Sequence, residues 1–378
     1  MNSRNLPNTL GIIGGGQLGK MMAQAASQLG MKTVVLDPNK NAPAAHICTE
    51  FIEAAFDDEV ALQRFASSCD RITYELEHLP VPALEEALPR TVFPQGTKAL
   101  LTTQDRLLEK QLFASLGLPT VRFAAIENEQ VLYDTVDKFP LPAVLKTRTG
   151  GYDGKGQVRI TSKQDVVAAA TLLAHGPCLL EEFVAFEREV SCVVARNEFG
   201  EKQVYPLFEN EHAHHILHKT TFPASTTSKV EETLTTSALE LVDALNFIGV
   251  LAMEAFVQED GTVLLNELAP RPHNSGHVTM EMCNVSQFEQ HVRACMGWPL
   301  REITVYQPGV MVNLLGEHME GYKQHARQLP DHALHLYGKE DVRQGRKMGH
   351  VTFSLQEFIT IPSSMYEEIW HVKEEAIQ

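Results

Sequence analysis

Hydrophobic positions along the first hundred residues alternate between two periods. Leu10 to Ile13 is a short apolar run ending at Gly14, Gly15 and Gly16, after which Met21, Met22, Ala25 and Ala26 recur at helical spacing. Thr33 to Asp37 is again a strand and completes a β-α-β unit. Asp57 to Arg64 and then Asp70 to Tyr74 continue the alternation, so this region predicts a doubly wound parallel sheet. Gln104 to Leu116 predicts a helix stopped by Gly117 and Pro119. From Pro142 the texture changes to strand, glycine-rich loop and strand, over Pro142 to Thr147, Thr149 to Gly156 and Gln157 to Thr161. A helix over Asp165 to Ala174 and strands over Pro177 to Val184 and Glu189 to Arg196 follow. Ser228 stands at capping-box distance from Glu231, ahead of a helical stripe of Val230, Leu234, Leu241, Val242 and Leu245. Gly249 to Val257 and Thr262 to Leu268 predict a hairpin about Asp260-Gly261, and beyond about Thr304 short strands and turns dominate.

The chain has 378 residues, enough for two to three domains at roughly 150 residues each. It is 44% hydrophobic and 21% charged, as globular proteins are. With 48 acidic against 32 basic residues the formal charge is −16, which argues against nucleic acid or a membrane surface as a partner and requires any phosphate site to be local. The six scattered cysteines read as reduced thiols. The N-terminus has no uninterrupted apolar segment for secretion, and Val166 to Leu180 is too short and too polar to span a bilayer, so the expected compartment is the cytoplasm.

Several residue groups carry chemistry. Gly14-x-Gly16-x-x-Gly19 with Asp37 at the end of the next strand fits a nicotinamide-dinucleotide fingerprint; it equally fits a tight turn that accepts any phosphate. The loop from Lys146 to Gln157 is not a Walker A, since Thr149 takes the first glycine position and Gly156 follows Lys155. It can lay backbone amides over a polyphosphate while Lys146 reaches the charge from a strand, or be an ordinary flexible hairpin. A two-residue turn at Asp260-Gly261 pairs Glu259 with Thr262, and counting back along both strands sets Glu254 opposite Glu267. Such carboxylates repel unless a cation lies between them, and Mg²⁺ on the oxygens of ATP is the economical one; a solvated edge face is the plain alternative. Arg271-Pro272-His273-Asn274-Ser275-Gly276-His277 adds a fixed cation and donors beside the pair. His212, His214, His215 and His218 lack the spacing of zinc fingers and read as a solvated loop. Glu75 and Glu77 end a sheet strand, where ligand crevices lie, or sit on a plain exposed loop, and the basic segment Lys339 to His350 is either a solvated hairpin or a phosphate pocket.

Together these residues resemble the ATP-grasp superfamily, and within it the carboxyaminoimidazole ribonucleotide synthases of purine biosynthesis. The resemblance runs through residues 11–19, 73–78, 150–157, 181–184 and 266–277. The last segment is the most specific, shared only with near relatives such as the formate-dependent glycinamide ribonucleotide transformylase. It implies an α/β (α+β) ATP-grasp fold, with an N-terminal Rossmann-like parallel-sheet domain over 1–103, an ATP-grasp domain over 104–303 and a small C-terminal β-rich domain over 304–378. Arg106 and Lys146 would contact the phosphates of ATP, under a lid of Gly151, Tyr152, Asp153, Gly154, Lys155, Gly156 and Gln157. Glu181, Glu182, Phe183 and Val184 would line the adenine edge, Glu189 would hold the ribose and His212 would complete the pocket. Glu254 and Glu267 would bind Mg²⁺ or Mn²⁺. Where many ATP-grasp enzymes offer a further asparagine this chain has Ala269, leaving Asn266, Asn274 or water for that ligand. Arg271, Tyr152 and Asp153 would be catalytic. Gly16, Gln17, Leu18, Glu75, Glu77, His273, Asn274, Ser275, Lys339, Arg346 and Lys347 would hold a ribonucleotide. The implied reaction is phosphorylation of bicarbonate by ATP to carboxyphosphate and transfer of the carboxyl group to the amine of 5-aminoimidazole ribonucleotide, without biotin, in a homodimer.

Overall fold

The computed structural model describes residues 8–151 and 156–372. Its strands form three sheets. Strands β1 (Thr9–Ile13), β2 (Lys32–Asp37), β3 (Glu50–Glu53) and β4 (Arg71–Tyr74) form a parallel sheet in the order β3-β2-β1-β4. Ile12, Ile13, Val35, Leu36 and Ile72 are fully buried, as parallel strands covered on both faces require. Helix Gln17–Gln28 turns Met21, Met22 and Ala25 onto one face of this sheet and meets Phe288 and Val292 of helix Gln287–Cys295. Helix Glu59–Ser68 covers the other face with Leu62 and Phe65.

Strands β5 (Phe123–Ile126), β6 (Ala143–Thr147), β7 (Gln157–Ile160) and β8 (Cys178–Glu182) form an antiparallel sheet, ordered β5-β8-β6-β7. The glycine-rich loop joins β6 to β7. The predicted helix over Asp165 to Ala174 is α-helical only at Val166–Ala170, flanked by 3₁₀ turns.

The remaining strands share one sheet: β9 (Arg188–Arg196), β10 (Lys202–Val204), β11 (Phe208–Ala213), β12 (Ile216–Phe222), β13 (Gly249–Val257), β14 (Val263–Ala269), β15 (Gly309–Leu315), β16 (Ala333–Leu336) and β17 (Lys347–Ser354). Its order is β14-β13-β9-β11-β12-β15-β17-β16, with β10 beside β9. Helix Ser228–Ala244 buries Val230, Leu234, Ala238, Leu241 and Val242 against Val194, Leu251, Met253 and Ala255. Its cap is Thr227, whose hydroxyl accepts the Val230 N–H at 3.4 Å, one residue before the Ser228 that the sequence pattern points to. The segment after residue 304 is not confined to a sheet of its own: β15 pairs with β12, and β17 and β16 extend the same sheet. Helices Met319–His325 and Ser363–Trp370 cover it with Tyr322, Tyr366, Ile369 and Trp370. No described helix is long and apolar enough to cross a membrane.

Candidate active site

The most informative feature is the register of β13 and β14. Glu254 does face Glu267, by a route different from the expected one. The hairpin loop has three residues, since the Gln258 N–H bonds the Thr262 carbonyl at 2.9 Å, with Gly261 in the left-handed region at φ 80°. That alone would pair Glu254 with Asn266. A β-bulge at Asn266 then shifts the register by one residue and restores the opposition. Leu265 and Leu268 both enter the core beside Ala255 and Met253, as only a bulge between them allows.

Each carboxylate has a basic partner close by. His273 Nε2 lies 3.0 Å from Glu254 Oε1, and an Arg106 guanidinium nitrogen lies 3.4 Å from Glu267 Oε2. Burial opposes ionisation of Glu254, yet the His273 ring, with His212 and Lys347 beyond it, more than offsets this and holds its carboxyl below the usual range. Glu267 is held above that range by its enclosure and then by the Glu254 charge, against the pull of Arg106. Among the described residues, neither Glu254 Oε2 nor Glu267 Oε1 has a hydrogen-bond partner. Facing carboxylate oxygens left open in this way are the donor set a hard divalent cation takes, so the residues fit Mg²⁺.

Beside the pair lies a run of cations. Lys146 on β6 reaches Glu181 Oε2 on β8 at 2.5 Å, and Lys110 reaches Glu181 Oε1 at 3.5 Å. Burial raises the Glu181 carboxyl, but Lys110, Lys146 and Arg106 together bring it down to about 2. The side chain of Glu181 is therefore committed to lysines; the neighbouring Glu182 and Phe183 amides bond the Arg122 and Pro142 carbonyls. The Phe183 ring lies against the Arg159 guanidinium. Glu189 and His212, on adjacent strands β9 and β11, pair at 2.5 Å. Arg106 also donates to the Gly151 carbonyl at 3.2 Å, and Arg148 pairs with Asp105, which anchors the near end of the glycine-rich loop to the start of helix Arg106–Ser115. Tyr152, Asp153, Gly154 and Lys155 lie outside the described residues.

Behind His273 runs a buried polar chain. His273 Nδ1 bonds Ser275 Oγ at 2.8 Å, Ser275 bonds Ser191 at 2.7 Å, Asn210 donates to Ser191 at 3.0 Å, and Thr220 donates to Asn210 at 3.0 Å. Both polar side-chain atoms of Asn274 are buried without a partner among the described residues.

The two ends of the chain meet at the parallel sheet. Lys20 donates to the Leu336 and Tyr337 carbonyls at 3.0 Å, Asn41 bonds Glu340 at 3.1 Å, and Lys339 lies within the electrostatic reach of Glu75. Here the structure corrects a reading of the first helix. The Gly16 and Gly19 N–H groups donate to the buried Glu75 carboxylate, so the Gly16 amide is already engaged and Glu75 is spent on the turn. A Cβ at Gly19 would strike the Gly14 carbonyl, so the fold itself demands that glycine, and one at Gly16 would displace the Glu75 carboxylate from its place in the turn. Asp37 accepts the Gly15 N–H and the Asn39 N–H, both at 2.7 Å, so it has a structural role in closing the turn that needs no dinucleotide ribose. Arg271 pairs with Glu77 at 2.7 Å. Arg346 is held by Asp341 through its carbonyl and carboxylate, and Lys339 donates to the Lys347 carbonyl at 2.8 Å. A cavity of about 600 Å³ opens next to this region, lined by Pro38, Phe56, His78, Leu79, Gln104 and Thr149.

The four histidines near residue 215 do not converge. His212 pairs with Glu189, His218 is buried on the Tyr366 hydroxyl, and His214 and His215 form the left-handed turn between β11 and β12. No cluster of metal-binding side chains involving them occurs among the described residues. Sequence reading missed Glu109 and Lys110, both buried under the bulge, and Ser191, Asn210 and Thr220 of the polar chain. Charges at positions 106, 109 and 110 share one helix face, and that was the available signal.

Comparison with known proteins agrees along the chain. Family profiles match the ribonucleotide synthetase preATP-grasp domain at residues 8–104, the ATP-grasp domain at 111–288, and the phosphoribosylaminoimidazole carboxylase C-terminal domain at 309–358. The chain is 44% identical over 347 residues to the N5-carboxyaminoimidazole ribonucleotide synthase of Bacillus subtilis, covering 92% of this chain and 91% of that one. An N5-carboxyaminoimidazole ribonucleotide synthetase solved as its ADP complex superposes with a TM-score of 0.92 at 43% identity, covering 99% and 100% of the two chains. The Aspergillus clavatus N5-carboxyaminoimidazole synthase in complex with ADP and 5-aminoimidazole ribonucleotide superposes with a TM-score of 0.89 at 28% identity, covering 97% and 100%. With its opposed carboxylates, its lysine-braced strands and these relatives over nearly its whole length, the chain belongs to the N5-carboxyaminoimidazole ribonucleotide synthase family of ATP-grasp ligases.

Proposed function

We propose that this protein carboxylates 5-aminoimidazole ribonucleotide with bicarbonate and ATP. A bicarbonate oxygen attacks the γ-phosphorus of ATP and ADP departs, leaving carboxyphosphate. The exocyclic amine then attacks the carboxyl carbon, phosphate departs, and the amine loses a proton to give the N5-carboxylated product. The observation that carries this reading is the opposed pair Glu254 and Glu267, flanked by Arg106 and, one sheet away, by Lys146.

In this reading Glu254 and Glu267 hold Mg²⁺ or Mn²⁺, with Asn266, Asn274 or water completing the shell; the bound cation supplies charge neutralisation on the phosphate oxygens. Lys146 and Arg106 hold the phosphates of ATP, and residues 151 to 157 close over them to keep water from carboxyphosphate. Glu181 to Val184, Glu189 and His212 border the nucleoside. Arg271, fixed by Glu77, faces the anionic intermediate with Tyr152 and Asp153. The ribonucleotide lies between the first helix and the basic segment, held by the Gln17 and Leu18 amides, Lys339, Arg346 and Lys347, with His273, Asn274 and Ser275 toward the reacting amine. Three domains meet near residues 103 and 303, the last sharing a sheet with the one before it, and the enzyme acts as a homodimer. None of its six cysteines is disulfide-bonded, which fits a reducing compartment, and we place the enzyme in the cytoplasm.

The test is ADP release in the presence of bicarbonate, with and without 5-aminoimidazole ribonucleotide. Turnover dependent on both substrates is expected; nucleotide binding without turnover would make the chain a non-catalytic nucleotide-binding protein instead.

A further inference from the structure

The bulge at Asn266 is gripped from beneath by two consecutive residues of helix Arg106–Ser115. Glu109 Oε1 accepts the N–H of Leu268 at 2.7 Å, and Lys110 Nζ donates to the carbonyl of Asn266 at 2.5 Å and of Leu265 at 3.4 Å. Glu109 is 3% exposed and Lys110 1%. Two ionisable side chains are thus withdrawn from water, where burial pushes the Glu109 carboxyl up to about 8, and they hold three backbone groups on either side of one irregular residue, an arrangement with no role in ordinary helix packing. The ladder explains what is being held. Toward the hairpin loop the regular register pairs Ala255 with Leu265, and continued without interruption it would set Asn266 opposite Glu254 and turn Glu267 into the core beside Met253. Only the bulge brings Glu267 out to face Glu254.

The geometry points to Glu109 as a positioning residue for the carboxylate pair: by clamping the Leu268 amide, with Lys110 on the Asn266 carbonyl, it fixes the bulged register that presents Glu267 to the metal. This inference rests on the reading of Glu254 and Glu267 as metal ligands. Both can be tested by measuring Mn²⁺ binding to the ADP-saturated enzyme by electron paramagnetic resonance, with ADP affinity in the absence of metal as the reference. Glu109→Leu leaves the buried Leu268 N–H without an acceptor and is expected to weaken Mn²⁺ binding tenfold or more while metal-free ADP binding changes little. Glu109→Gln keeps an acceptor oxygen in place and is expected to preserve Mn²⁺ affinity. Folded Glu109→Leu protein with wild-type Mn²⁺ affinity would overturn the clamp. Should that variant fail to fold, Glu109→Asp, whose acceptor is one methylene short of Leu268, is compared instead, and wild-type affinity there overturns it equally. Glu267→Gln separates the two readings. If it binds Mn²⁺ normally the metal assignment itself is wrong, whereas its loss beside an unaffected Glu109→Leu condemns the clamp alone.

Discussion

Lys146 and Glu181 join through their side chains at 2.5 Å although the ladder pairs Lys146 with Leu179. The contact is diagonal, two residues along the neighbouring strand, within reach of two long side chains. Because Lys110 approaches the other oxygen of Glu181, that carboxylate stays anchored if Lys146 turns toward a phosphate. Lys146→Ala is therefore expected to leave folding intact and to weaken ATP binding by about ten- to a hundredfold, the range for losing a charge-assisted hydrogen bond. Calorimetric titration with ATP checks this; unchanged affinity would return Lys146 to a purely structural pairing with Glu181.

Glu267→Gln tests the metal pair by turnover and stability together. The amide is nearly isosteric but a poor ligand for a hard cation, so turnover at saturating Mg²⁺ should fall by several orders of magnitude. Removing one of two repelling carboxylates should also keep or raise the thermal midpoint of the ligand-free protein. Near-normal activity would refute the assignment.

Arg346→Ala addresses the ribonucleotide. Arg346 is tied to Asp341 in the basic segment, just ahead of β17 and in a different sheet from the β6 that carries Lys146. A contact to a non-reacting 5′-phosphate contributes to binding more than to the chemical step. The apparent KM for 5-aminoimidazole ribonucleotide should rise about tenfold or more with that for ATP little changed. Steady-state kinetics with each substrate varied in turn decides it, and a rise confined to ATP would move this segment to the nucleotide pocket.

Acid should destabilise the fold through buried histidines. Burial holds His218 and His291 down to about 3 and keeps His277 and His350 well below the usual 6.5. The unfolded chain binds protons at these rings near pH 6.5, while the folded chain does so only at far lower pH. Stability is thus fully present above about 7 and declines as pH falls through 6.5, by about 1.4 kcal/mol per unit for each ring. Thermal midpoints measured from pH 7.5 down to 5 should drop steadily below 6.5. A flat profile would mean that the rings take up protons without leaving their places.

The sequence disclosed what is local and hid what is joined from afar. Alternation and the Asp260-Gly261 turn located the hairpin, but the pairing of Glu254 with Glu267 came from two departures that cancel, a loop longer by one residue and a bulge on β14. Helix Arg106–Ser115 misleads for a related reason. The sequence located this helix but not its buried face: Glu109, Lys110 and Phe113 are buried and Leu108 is 43% exposed. The backbone groups that Lys110 and Glu109 bond, on Asn266 and Leu268, lie 156 and 159 residues away. Gly16 was legible as a turn, but not Glu75 as the acceptor that fills it, since no periodicity links positions 59 residues apart. The strands of the last segment were readable too; that β15 would find β12 was not.

That union of β12 with β15 means that the protein cannot be divided where its sequence texture changes. Lys219 to Phe222 bonds Gly309 to Val312 along one side of β12, and every residue of β15 is buried. Chain ending near residue 303 would leave this side of β12 a bare row of amide and carbonyl groups in the middle of an apolar surface, which is the template on which strands of other molecules assemble. Such a fragment would be recovered as aggregate rather than as a smaller nucleotide-binding protein, and the last seventy-five residues are as much the solubility of the preceding ones as a segment in their own right.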